Sequence, residues 1–226
     1  MKTKGRKKFC TAGGLLGAFA IWTAVLRFID VKSIGPLGSV VGLATLNGFV
    51  HDLTGVHLFL YTLTDWLGLI PLIVVMGFAV LGLIQWIRRR SLWKVDADIL
   101  VLGGFYLAVM AVFVGFECFP VNYRPILIEG VLEASYPSST TMLTLCVMPT
   151  AAMQFNNRMQ RKALKRWTVT AITAFTILMV VARLISGVHW FTDIVGGILV
   201  SAGLVTLYSS VVDCVSTTQR HSSDDF

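Results

Sequence analysis

The chain has 226 residues, of which 55% are apolar and 14% charged, with a mean hydropathy of +0.75. Apolar runs of the length seen here exclude a soluble domain with its own core, and they leave nothing over for a second domain. A formal charge of +7 would suit a nucleic-acid binder, but the basic residues sit between the apolar runs, where membrane topology accounts for them, so nucleic acid is excluded as a partner.

Charge-free runs occupy residues 9–26, 66–87, 99–116, 134–155, 167–182 and 194–212, each 16 to 22 residues long. About 20 residues at 1.5 Å rise cross the ~30 Å of hydrocarbon in a bilayer. The pattern predicts an all-α, polytopic membrane protein with six transmembrane helices. A basic N-terminus (1–8) precedes a six-helix membrane domain (9–213), and a tail (214–226) follows. Ala18-Phe19-Ala20 in the first run would suit a signal-peptide cleavage site, but the run continues to Leu26, as an uncleaved span does. Gly13 and Gly17 in the same run predict a close helix contact. The next uncharged stretch, 33–50, carries Gly35, Pro36, Gly38, Gly42, Asn47 and Gly48. A crossing there would put the N-terminal lysines on the opposite face from Arg88, Arg89 and Arg90. It is therefore expected to be an external re-entrant or interfacial segment between the first two helices.

Lys2 to Lys8, Arg88 to Lys94 and Arg158 to Arg166 hold 14 of the 19 basic residues. They assign one face of the membrane, with both termini, to the cytoplasm, in a cell-membrane protein that crosses several times. Trp66, Trp86, Trp93, Trp167 and Trp190 lie near span ends and are expected in the interfacial aromatic belt. The four cysteines have no metal-ligand spacing and do not pair by topology. Cys118 is external, and Cys10, Cys146 and Cys214 are expected to pack as soft apolar residues. The tail after Asp213, including Ser222, Ser223, Asp224 and Asp225, is expected to be disordered.

Threading these spans leaves most external ionisable residues in three places: between Glu117 and Glu133, at the end of the fifth span, and at the start of the sixth. Arg124 lies in the first, Tyr136 to Thr141 opens the fourth span, and Arg183, His189 and Asp193 bracket the last hairpin. These are the parts that phosphoryl transfer needs. Two arginines can grip phosphate oxygens through charge-assisted hydrogen bonds. Pro137-Ser138-Ser139 at a helix start offers hydroxyls and free N–H groups to an anion. If the sixth span has begun by His189, then His189 and Asp193, four apart, share a face, and the carboxylate can orient an imidazole that attacks phosphorus. The chemistry requires no cofactor or metal, and no ligand cluster suggests one.

These residues resemble the type 2 phosphatidic acid phosphatase superfamily of membrane lipid phosphatases, over roughly residues 60–210. The resemblance is densest in G-V-H-W-F-T-D-I-V-G-G, where Arg183, His189 and Asp193 keep the spacing of the third signature stretch and Ala182 stands for its serine. Arg124-Pro125 matches the first stretch, with Glu117 at its lysine position. Pro137-Ser138-Ser139-Thr140 matches the second, with Thr140 at its histidine. The resemblance implies that His189 is the nucleophile and Asp193 its partner, and that Arg124, Ser138, Ser139, Thr140 and Arg183 bind phosphate. The histidine that would protonate the leaving oxygen is missing, a role typically worth 10² to 10⁴ in rate. Glu117 and Glu133 are candidate substitutes, with His51 and His57 behind them. Three accounts follow: a phosphatase or diphosphatase acting on lipid phosphates or polyprenyl diphosphates at the external face, a lipid phosphotransferase, or a binding protein without turnover.

Overall fold

The computed structural model describes residues 2–224, with side chains for 5–215. Among them eight α-helices follow in order: α1 Lys2–Phe28, α2 Ala44–Thr54, α3 Leu58–Leu67, α4 Leu69–Arg89, α5 Ala97–Cys118, α6 Ser139–Arg158, α7 Lys162–Ile185 and α8 Phe191–Asp224. Five segments are long and apolar enough to cross a membrane: Gly5–Phe28, Leu58–Arg89, Ala97–Cys118, Lys162–Ile185 and Phe191–Val215. The chain is an integral membrane protein of the all-α class.

The remaining long helix, α6, corresponds to the fourth predicted span and is its most polar member. Its Thr141, Thr144, Thr150 and Gln154 are buried, because α6 packs against α4, α5, α7 and α8. Inside the bundle three of them find partners: Thr141 accepts from the Ser138 hydroxyl at 3.0 Å, Thr150 donates to the Cys146 carbonyl at 2.8 Å and Gln154 to the Tyr208 hydroxyl at 2.7 Å. A buried polar group without a partner would cost about 1–3 kcal/mol. Apolar contact between α5, α6 and α8, through Leu102, Phe105, Met142, Cys146 and Leu204, forms the centre of the core.

The second predicted span starts earlier than its charge-free run, at Leu58, and is broken at Gly68. Pro71 explains the break. It has no N–H to give the Leu67 carbonyl, so a helix restarting at Leu69 tolerates it in its first turn, and one running through would not. The uncharged stretch 33–50 does not cross. It turns at Pro36, pairs Lys32 with Val41 and then enters α2, which packs on α8. Asn47, fully buried, fastens it there, donating to Thr192 Oγ1 at 2.9 Å and accepting from the Thr192 N–H at 3.2 Å.

Several expectations are corrected. No glycine or proline follows Gly203 in α8, so the helix runs past Asp213 to Asp224 in place of a disordered tail; Asp225 lies outside the described residues. Gly13 and Gly17 make no close contact, since a methyl group added at either would meet nothing within 4 Å. Of the cysteines only Cys146 is buried, while Cys10 and Cys214 are exposed. Trp190 is buried at 3% exposure and is not a belt residue, whereas Trp66, Trp86, Trp93 and Trp167 are exposed.

The basic clusters gather at one end of the bundle. There Lys8 pairs with Asp213 at 2.7 Å, Arg89 with Asp96 at 2.8 Å and Arg158 with Asp98 at 2.8 Å. The C-terminal ends of α1, α5 and α7 and the N-terminal ends of α6 and α8 meet at the other end, with α2 and α3 beside them.

Candidate active site

The hairpin between α7 and α8 supplies the centre of the site. Gly187 takes φ +67°, and its missing side chain leaves room for the Gly55 carbonyl, 1.9 Å from where a Cβ would sit. The turn delivers His189 into the interior, 4% exposed. Helix α8 begins only at Phe191, so the expected shared helical face for His189 and Asp193 does not form. Asp193 instead occupies the third helical position and its carboxylate reaches back to the Trp190 N–H at 2.9 Å, the acidic half of a capping box. Asn122 donates to its other oxygen at 3.3 Å. The carboxylate so held lies 3.7 Å from His189 Nδ1.

The nearer partner of Nδ1 is the Ser135 carbonyl, at 3.1 Å. A carbonyl can only accept, so Nδ1 carries the proton and Nε2 keeps its lone pair. Burial first, then the guanidinium groups of Arg124 and Arg183, hold the imidazole well below its ordinary pKa, against the opposing bond to Ser135. The histidine is therefore neutral, with a free nitrogen.

Arg124 comes from the loop between α5 and α6, a short hairpin bridged at Tyr123–Ala134 and Ile128–Val131. Across it the Arg124 N–H donates to the Glu133 carbonyl at 3.0 Å, and its side chain pairs with Glu133 at 2.9 Å. Arg183 lies in the last turn of α7 at 1% exposure. Its Nη1 donates to Thr64 Oγ1 at 3.0 Å, and Asp65 lies 3.8 Å from its Nη2. Arg124 Nη1, Arg183 Nε, His189 Nε2 and Ser135 Oγ are all buried without a hydrogen-bond partner.

Ser138 is buried as the residue before α6, with its N–H on the Asp193 carbonyl at 3.1 Å and its hydroxyl donated to Thr141 at 3.0 Å. Ser139 and Thr140 open α6, where helix N–H groups lack intrahelical acceptors. Both line one end of an apolar groove of about 950 Å³ between α4 and α5, with α6 along its floor. Asp65 and Gly68 lie at that end, and Leu92 and Val95 at the far one. Glu117 is exposed at the end of α5. His57 is exposed, and its Nε2 lies 3.0 Å from the Thr54 carbonyl. His51 packs on Trp190, 5.5 Å between ring centres. Among the described residues, no group of three His, Cys, Asp or Glu side chains is placed to hold a metal.

The sequence reading missed Asn122, Ser135, Tyr61 and Thr64, all of which touch the expected residues. Asn122 and Ser135 flank Arg124 and Tyr136 in the external loop and could have been suspected from position alone.

Residues 117–214 match the family model of the PAP2 superfamily. Residues 117–214, a little under half of the chain, are thus similar to the PAP2 superfamily. Glu117, Arg124, Glu133, Ser138, Ser139, Thr140, Arg183, His189 and Asp193 lie within this match; His51, His57, Tyr61 and Thr64 lie before it. No curated protein sequence matches the chain. Among solved structures, the crystal structure of the first transmembrane PAP2-type phosphatidylglycerolphosphate phosphatase from Bacillus subtilis is similar, with a TM-score of 0.59 over 90% of this chain and 96% of that one, at 17% identity. The chain thus shares the fold of a transmembrane PAP2 protein.

Proposed function

We propose that this protein is a membrane lipid phosphatase or diphosphatase that hydrolyses a lipid phosphate or polyprenyl diphosphate at the external face through a phosphohistidine. The observation that carries this reading is the set of unpartnered buried atoms, Arg124 Nη1, Arg183 Nε, Ser135 Oγ and His189 Nε2. Buried cationic donors without acceptors are costly, and an anion with several oxygens is the group that satisfies them. A lone pair among those donors is placed to attack the atom they grip. The groove supports a lipid, since a hydrocarbon chain lying in it would carry its head group at the Ser139 and Thr140 end.

In this mechanism the Nε2 lone pair of His189 forms a bond to phosphorus as the bond to the leaving oxygen breaks, and that oxygen keeps the electron pair. Arg124 and Arg183 bind the equatorial oxygens, aided by Ser139, Thr140 and the first N–H groups of α6. The Asp193 carboxylate, turned toward Nδ1, steadies the cationic phosphoimidazole. Water then attacks phosphorus, the N–P bond breaks, and inorganic phosphate leaves. Ser138 holds the α6 start rather than the substrate in this reading, because its hydroxyl is engaged with Thr141. A leaving phosphate needs little protonation, so the absence of an acid at Thr140 favours diphosphate lipids.

The test is phosphate release from a panel of mono- and diphosphate lipids by the purified protein. His189→Ala should abolish release while keeping phosphate binding, and near-native activity of that variant would sink the assignment. Wild type should prefer diphosphates, and Thr140→His should raise monoester turnover more than diphosphate turnover. A monoester preference lost selectively in Glu117→Gln or Glu133→Gln would make that glutamate the acid. Binding without release identifies a protein that holds lipid phosphates, and dependence on an added hydroxyl acceptor identifies a transferase.

A further inference from the structure

Two guanidinium groups that share one phosphate must be held near each other before it arrives, although their charges repel. Glu133 lies against Arg124 and Asp65 against Arg183, but the two carboxylates are 41% and 62% exposed, so water weakens both pairings. A third group touches both arginines. The Tyr61 ring has the Arg183 guanidinium carbon 4.9 Å and the Arg124 one 5.7 Å from its centre, both within cation–π range.

Helix α3 is shaped around this contact. It packs on α7, and Thr64, one turn after Tyr61, accepts from Arg183 at 3.0 Å while donating to the Tyr61 carbonyl at 2.9 Å. His57, at the start of α3, donates its N–H to the Ser186 carbonyl at 2.9 Å, tying the helix to the hairpin that carries His189.

We propose that Tyr61 is a positioning residue whose ring face serves as a common platform for Arg124 and Arg183, keeping the two cations in phosphate-gripping register. The inference rests on the phosphate-binding reading of the site. Tyr61 acts through the arginines and its hydroxyl has no part. The π face, negative at its centre, offsets the mutual repulsion of the cations, and the rigid ring limits the rotamers each can reach.

The experiment is calorimetric titration of the purified full-length protein with inorganic phosphate. Tyr61→Phe should keep the wild-type affinity to within about twofold, and Tyr61→Leu should weaken it roughly tenfold. Phenylalanine carrying one, two and three ring fluorines at position 61 should weaken binding stepwise, because fluorine drains the π face while leaving the ring shape nearly unchanged. That series decides the matter even if Tyr61→Leu does not fold. A flat fluorine series, or Tyr61→Phe binding as poorly as Tyr61→Leu, overturns the platform and leaves the phosphate site standing. Wild type that binds no phosphate overturns the phosphate reading and the platform together.

Discussion

His189 is buried as a neutral base, and the consequence reaches beyond chemistry. Its pKa in the folded protein lies well below 6.5, chiefly through burial and then through Arg124 and Arg183. In the unfolded chain it returns to the ordinary value, so between the two values the unfolded state binds more protons. Stability is therefore fully present above pH 6.5 and declines as pH falls through the window down to the folded value, each tenfold difference in proton affinity being worth about 1.4 kcal/mol. His189→Gln, neutral at every pH, should lose less thermal stability between pH 7.5 and pH 5 than wild type does. Equal losses, measured as melting temperatures in detergent at both pH values, would mean that the imidazole titrates normally.

At the level of elements, the glycines of the α8 start decide how closely the helix can lie against the strand of chain leading into α6. A Cβ on Gly196 would fall 2.4 Å from a ring carbon of Tyr136. That ring cannot move aside: it stacks on Phe19 at 6.1 Å, meets Phe116 edge-on at 5.6 Å and bonds Thr23 through its hydroxyl at 2.7 Å. Gly196→Ala should cost about 1–3 kcal/mol of stability, and Tyr136→Leu in the same molecule should recover part of it. Strictly additive losses in a double-mutant cycle by thermal unfolding would show that the two do not meet. The run G-V-H-W-F-T-D-I-V-G-G was legible as a candidate site because its titratable residues and its helix start lie within one stretch. The positions of Arg124, Ser138 and Thr140 could be read for the same reason, each beside a helix end. Tyr61 and Thr64 could not, since 119 positions separate Thr64 from the Arg183 it binds and an apolar helix carries both. Trp190 was misread because a tryptophan at a span end ordinarily faces the interface. Its indole instead donates to the Tyr123 carbonyl at 2.7 Å, anchoring the Arg124 loop. Polar α6 was expected as a span from its lack of charge; it forms a 20-residue helix outside the five most apolar segments, and only packing reveals that its threonines face neighbours.

For the whole molecule, the separation of the basic clusters from the arginine and histidine site sets an orientation test. If the clusters face the cytoplasm, a cysteine at exposed Glu129, in a protein lacking Cys10, Cys118 and Cys214, should react with an impermeant maleimide in intact cells, and one at exposed Arg161 should react only after lysis. The reverse pattern would put the site in the cytoplasm and change the lipid pool it meets. The two helices at the ends of the chain also pack along each other. Trp22 donates to the Thr192 carbonyl at 3.2 Å across 170 positions, Lys8 meets Asp213, and Gly203 seats the Leu16 side chain. Ribosomes add about 5–20 residues per second, so α1 must stand in the lipid for roughly ten seconds or more before α8 is synthesised. During that interval the Thr23 side chain and the Trp22 ring have lipid or the insertion machinery for neighbours. His189 and Asp193 arrive with the same late segment. Damage along the seam between α1 and α8 would thus reduce how many molecules survive cellular surveillance, while those that complete assembly would work normally.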